Sequence, residues 1–87
     1  VTRPLTLERV QAIVADAAGP GRAPIDAGPE TPLVEGGFWL DSVHLLEAII
    51  ACESEFGVIF DPDVDFTGIH LRTVRTLHDL IRAKRSS

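Results

Sequence analysis

The side chains of this 87-residue chain that could do chemistry gather in one short run, Asp41-Ser42-Val43-His44. A serine at a helix start has its hydroxyl beside unsatisfied backbone amides and the positive dipole end, an environment that favours a phosphate ester on that oxygen. The plainer alternative is that Ser42 or Asp41 only caps the helix, because both residue types are preferred there. A hydrolytic triad is not expected. Residues two apart on a helix face different sides, so His44 does not easily reach the Ser42 oxygen, and nothing supplies the scaffold of an oxyanion hole. His44, Cys52, His70 and His78 do not fall at metal-ligand spacing, so no metal site is expected. Cys52 lies on an apolar helical stripe and reads as a small buried hydrophobe. No side chain is assigned a catalytic role.

Helical periodicity supplies the elements that must position this run. Leu7, Val10, Val14 and Ala17, widened by Ile13, predict a first helix over residues 6–18. Thr6 is its N-cap, Glu8 suits the positive dipole end, and Gly19-Pro20 stops it. A second helix runs from Asp41 or Ser42 to Phe56, with Gly57 as its stop. It carries two apolar stripes. Leu45, Ile49, Cys52 and Phe56 form a core seam, while Val43, Leu46 and Ile50 are rotated away from it. The second stripe is either core for another helix or an exposed contact edge flanked by Glu47 and Glu53. Val58-Ile59-Phe60 reads as an apolar connector, since no partner strand is visible. Asp61-Pro62 opens a short helical turn within residues 62–70, limited by Gly68. The last helix has Thr73 as N-cap and Val74, Leu77, Leu80 and Ile81 as its seam, with Arg82, Lys84 and Arg85 at its negative end.

Residues 19–40 hold four of the six prolines and five of the seven glycines, with isolated Ile25, Leu33 and Val34 among them. Connections beyond about 12–15 residues are uncommon in compact domains, and these apolar residues favour a loop pinned across the core. The expectation is one all-α domain over residues 1–87: a small four-helix bundle of three longer helices and a short third, with a long loop after the first. Hydrophobic residues at 45% and charged residues at 24% suit a globular chain rather than a disordered one. Net charge is −5, and residues 26–65 contain ten carboxylates and no Lys or Arg. That block argues against nucleic acid and for a basic partner surface. No apolar run approaches the roughly 20 residues of a membrane span, and a single cysteine rules out an intramolecular disulfide. A soluble, cytoplasmic setting without membrane contact is expected.

With these elements in place, the chain resembles the acyl carrier protein family over nearly its full length. Leu40-Asp41-Ser42-Val43 is similar to the family's Asp-Ser-Leu attachment motif, and Glu53-Ser54-Glu55-Phe56-Gly57 to the acidic-Phe-Gly end of its second helix. Asp61-Pro62-Asp63 resembles the connector before its short third helix, Phe66 its anchoring aromatic, and Thr73-Val74 with Leu77 and Ile81 its fourth helix. Upstream, Thr31-Pro32-Leu33 with Gly36-Gly37-Phe38 resembles the loop that folds back before the attachment site.

The resemblance implies that a phosphopantetheinyl transferase places 4'-phosphopantetheine from coenzyme A on Ser42, with Asp41 completing the motif. The terminal thiol then holds an acyl group as a thioester, and the domain itself catalyses nothing. Val43, Leu46 and Ile50 would form the partner edge, with Asp41, Glu47 and Glu53 facing basic residues of acyl-loading and acyl-processing enzymes. Leu45, Ile49 and Phe56 would line the interior where some carriers shelter their cargo. His44 is read as a surface residue tuning partner recognition, and Trp39 as either a core plug or an exposed contact beside the site. The departures narrow the subclass. His44 stands where fatty-acid carriers place an acid, and the acidic cluster before Phe56 is diluted by Ser54. Phe38-Trp39-Leu40 separates Gly36-Gly37 from Asp41, against the peptidyl-carrier pattern, and the marks of modular polyketide carriers are missing. The expectation is a discrete, monomeric carrier of polyketide or other natural-product biosynthesis. Its alternatives are a peptidyl or aminoacyl carrier and an unmodified acidic helical interaction domain.

Overall fold

The computed structural model describes residues 4–19, 21, 24, 26–34, 36–66 and 70–85, apart from the side chains of Pro62 and Val64. Pro20 and Gly68, expected as helix stops, and Ile25 of the long loop lie outside them. Helix α1 is Leu7–Ala18: the Thr6 hydroxyl accepts from the Arg9 N–H at 3.0 Å, and the chain leaves through Gly19 at φ 96. Helix α2 is Ser42–Phe56, capped by Asp41 and closed by Gly57 at φ 68, a left-handed conformation that glycine adopts without strain. Pro62–Asp65 forms the single turn α3 behind Asp61, and Val74–Arg85 forms α4. At the start of α4, the Thr76 N–H donates to the Thr73 hydroxyl at 3.2 Å and the Thr73 N–H to the Thr76 hydroxyl at 2.9 Å. This is a reciprocal cap built from two threonines.

Three helices, rather than the expected four, make the bundle. Helix α1 packs on α2 and α4, and α2 packs on α4. The four residues of α3 complete one turn, too short to present an apolar stripe to a neighbour. Among the described residues there is no strand, only an isolated bridge between Pro32 and Thr73. No helix among them is long and apolar enough to cross a membrane.

The core is one cluster. Val10, Ile13 and Val14 of α1 meet Ile49, Cys52 and Phe56 of α2 and Val74, Leu77 and Ile81 of α4. Leu45, placed in the seam by its spacing, is only partly buried, and Ala48 is fully buried instead. Loop residues complete the core: Leu33, Phe38 and Leu40 before α2, and Val58 and Phe60 after it. A buried ion pair ties α3 to α4. Asp65, 5% exposed, lies 2.5 Å from the Lys84 ammonium and accepts the Asp61 N–H at 2.6 Å. Burial pushes the Asp65 pKa up, but the Asp61 N–H and Lys84 outweigh it, so the net shift is downward.

Candidate functional site

The loop before α2 sets where that helix begins. Its backbone is hydrogen-bonded to the start of α4: the Leu33 N–H donates to the Arg72 carbonyl at 3.0 Å, and the Arg75 N–H to the Pro29 carbonyl at 2.8 Å. It then doubles back on itself. The N–H groups of Phe38, Trp39 and Leu40 donate to the carbonyls of Pro32, Val34 and Leu33 at 2.9, 3.0 and 3.1 Å. Gly37 permits this close return, because a Cβ there would be driven into the Pro32 backbone. Phe38 and Leu40 face the core, and Trp39 between them is 58% exposed at φ 56. Of its two readings, the exposed one describes its position.

At the head of α2 the capping work falls to Asp41. Its Oδ1 accepts the His44 N–H at 2.8 Å and lies 2.7 Å from the His44 Nδ1. These contacts hold the Asp41 carboxyl below the usual range, the backbone N–H of His44 contributing most and its ring next. Ser42, the first helical residue, is exposed, and its hydroxyl has no hydrogen-bond partner among the described residues. The His44 ring is turned toward Asp41 and not toward that hydroxyl. The local chemistry is therefore a free serine oxygen at the positive end of a fifteen-residue helix.

Val43, Leu46 and Ile50 are 63%, 48% and 53% exposed, so the second stripe of α2 is an outward edge and not core for another helix. Glu47 is exposed and makes no ion pair among the described residues. Glu53 differs. It is half-buried, and its Oε2 accepts the Phe60 N–H at 2.9 Å, which fixes the connector after α2. The carboxylate expected to face partners is thus engaged inside the fold, for want of another acceptor for that backbone N–H. Glu55 is similarly used, paired by both oxygens with the Arg9 guanidinium across α1 and α2. Cys52 is buried within the seam, and burial pushes its thiol up to about 12. Among the described residues, no three His, Cys, Asp or Glu side chains gather as metal ligands do.

Ile59, 83% exposed, was read only as part of an apolar connector. The Phe60 bond anchors that connector to Glu53, which continues the Leu46–Ile50 row at helical spacing. Val58 and Phe60 on either side of Ile59 are buried, and because all three residues are apolar the sequence carries no signal that separates it from them. Comparison of the chain with family models, with curated proteins and with solved structures gives no match.

Proposed function

We propose that this protein is an acyl carrier, with Ser42 as the attachment point of a phosphopantetheine arm. The observation that carries the reading is the division of labour at the head of α2, where Asp41 caps the helix and leaves the Ser42 hydroxyl exposed and uncommitted. The motif resemblance over residues 40–43 and 53–57 supports it independently. Such a serine fits a phosphate ester, because the first-turn amides and the helix dipole favour negative charge at that oxygen. In the attachment step Ser42 loses its hydroxyl proton as its oxygen bonds the phosphorus of coenzyme A, and the adenosine bisphosphate half departs. The arm's terminal thiol supplies acyl transfer chemistry, holding the cargo as a thioester. Asp41 keeps the first turn of α2 formed around the attachment point. Val43, Leu46 and Ile50 offer partners an apolar edge, and Glu47 offers a charge complementary to a basic docking surface.

In this reading α3 takes the place of the family's short third helix. The chain works as a monomer in the cytoplasm, in a specialised pathway of polyketide or other natural-product assembly. Its partners are the phosphopantetheinyl transferase and the enzymes that load and process the cargo. Co-expression with a broad-specificity phosphopantetheinyl transferase, followed by intact mass measurement, tests the reading. The chain gains the mass of one phosphopantetheine, and Ser42→Ala gains none. A folded chain that gains no mass leaves the acidic interaction domain as the surviving function.

A further inference from the structure

One residue holds the Asp41 carboxylate twice. Its Oδ1 accepts the His44 backbone N–H at 2.8 Å and lies 2.7 Å from the His44 Nδ1, so two contacts from His44 converge on a single oxygen. The N–H first and the ring second hold the carboxyl below its ordinary range, so it is ionised at neutral pH and has no hydrogen to give. The bridging proton therefore sits on Nδ1, and Asp41 sets the tautomer of His44. Beyond His44, the group acting on this carboxylate is the Val43 N–H, which leaves the ring as the titratable side chain that faces it.

Helix stability does not account for this histidine. The positive end of a helix favours acids over groups that take up positive charge, yet the first turn of α2 holds His44 and no acid. The two side chains are 42% and 63% exposed, and a pair so open to water adds little to the stability of the fold. What the pair fixes is direction. Held by its N–H contact alone, the carboxylate is free to pivot, and the nearest uncommitted donor along the chain is the Ser42 hydroxyl. Two donors on one oxygen keep it turned to the cap.

We infer that His44 is a positioning residue for arm attachment: its Nδ1–H pins Asp41 in the cap and so keeps the Ser42 oxygen free to attack phosphorus. This rests on the carrier reading above. In the step the Ser42 oxygen bonds the phosphorus of coenzyme A, its proton goes to a base of the transferase, and adenosine bisphosphate departs, while Asp41 and His44 exchange no proton. His44→Leu removes the ring donor, and His44→Asn keeps one, because the asparagine Nδ2 stands as many bonds from the backbone as the histidine Nδ1. With a broad-specificity phosphopantetheinyl transferase and coenzyme A, the maximal single-turnover rate of His44→Leu falls about fivefold, the weight of one cap contact, at an unchanged half-saturating concentration of the chain. His44→Asn recovers most of the rate, although asparagine is the poorer helix former. An unchanged rate in His44→Leu overturns the inference, and so does a loss that His44→Asn does not restore. A change confined to the half-saturating concentration also overturns it, since the ring is then a contact of the transferase. The pairing is checked without any transferase by ring ¹⁵N resonance at about pH 8.5, above the ordinary histidine range. The neutral His44 ring is mainly the Nδ1–H form, and Asp41→Ser, which keeps a cap without a carboxylate, loses that preference. Equal tautomer populations in the two chains overturn the inference whatever the mass at Ser42, whereas a chain that takes no mass there overturns the carrier reading and the attachment role together.

Discussion

Asp41 and Ser42 are equally good helix caps by residue type, and only Asp41 is used as one. Sequence could name the pair but not divide the roles, because the choice depends on the angle at which residues 38–40 deliver the chain to α2. The same limit applies to Glu53: its spacing marks a helix face, whereas its role is set by a backbone N–H seven residues later that needs an acceptor. Cys52 was legible from its seam position, and its surroundings give a direct check. With its thiol pushed up to about 12 by burial, and further by Glu55 and Glu53, almost no thiolate exists in the folded chain at neutral pH. Iodoacetamide should therefore label Cys52 only through unfolding, at a rate that rises with urea in step with loss of helical circular dichroism. Rapid labelling at full native ellipticity would mean that α2 opens locally.

At the scale of elements, caps and periodicity were enough to place α1, α2 and α4, since each carries its own N-cap and apolar stripe, and α1 and α2 a glycine stop as well. The long loop was not readable beyond being pinned, because its hydrogen bonds run to the start of α4, some forty residues away. Helix α3 looked like a bundle member because Asp61-Pro62 signals a helix start without signalling its length. What holds this turn is the Asp65–Lys84 pair, and that makes its pH dependence informative. Asp65 has its pKa lowered in the folded chain, so its contribution is present above the ordinary value of 3.8 and is lost as pH falls through the lowered one. In Lys84→Met Asp65 keeps its burial and the Asp61 N–H but loses the ammonium that helps lower its pKa, so its folded pKa lies above that of the unaltered chain and the buried carboxylate is left without its counter-ion at neutral pH. Urea unfolding should show a loss of about 3 kcal/mol near neutral pH. The gap to the unaltered chain should narrow in acid, because Asp65 takes up its proton at a higher pH in the variant than in the unaltered chain. Asp65→Asn should cost less, because Lys84, partly exposed, can return its ammonium to water. A deficit for Lys84→Met that stays constant with pH would show that the Lys84 ammonium over the Phe60 ring, and not its pairing with Asp65, holds the turn.

Over the whole molecule, the uninterrupted acidity of residues 26–65 is the feature that first points to a basic partner, and the fold uses much of it internally. Glu30 pairs with Arg75, Glu55 with Arg9 and Asp65 with Lys84, so basic residues from both ends of the chain neutralise part of the central block. Asp41 caps α2 and Glu53 fixes the connector. The net charge of −5 remains, but on α2 the carboxylate free of such duties among the described residues is Glu47, exposed on the same helix as the apolar edge. Charge reversal at Glu53 would confuse docking with folding, since it removes the acceptor of the Phe60 N–H. Reversal at Glu47 does not. If a basic transferase surface docks on α2, Glu47→Lys should lower kcat/KM for phosphopantetheinylation about fivefold at low salt, the size of a rim charge worth about 1 kcal/mol. The thermal midpoint should stay unchanged, because the side chain is exposed and unpaired. Raising ionic strength should shrink the effect, as counterions screen a rim charge but leave the apolar edge intact. An unchanged kcat/KM at low salt would reduce the acidity of this face to a contribution to solubility. Leu46→Ser and Ile50→Ser would then remain as the measure of docking through the apolar row alone.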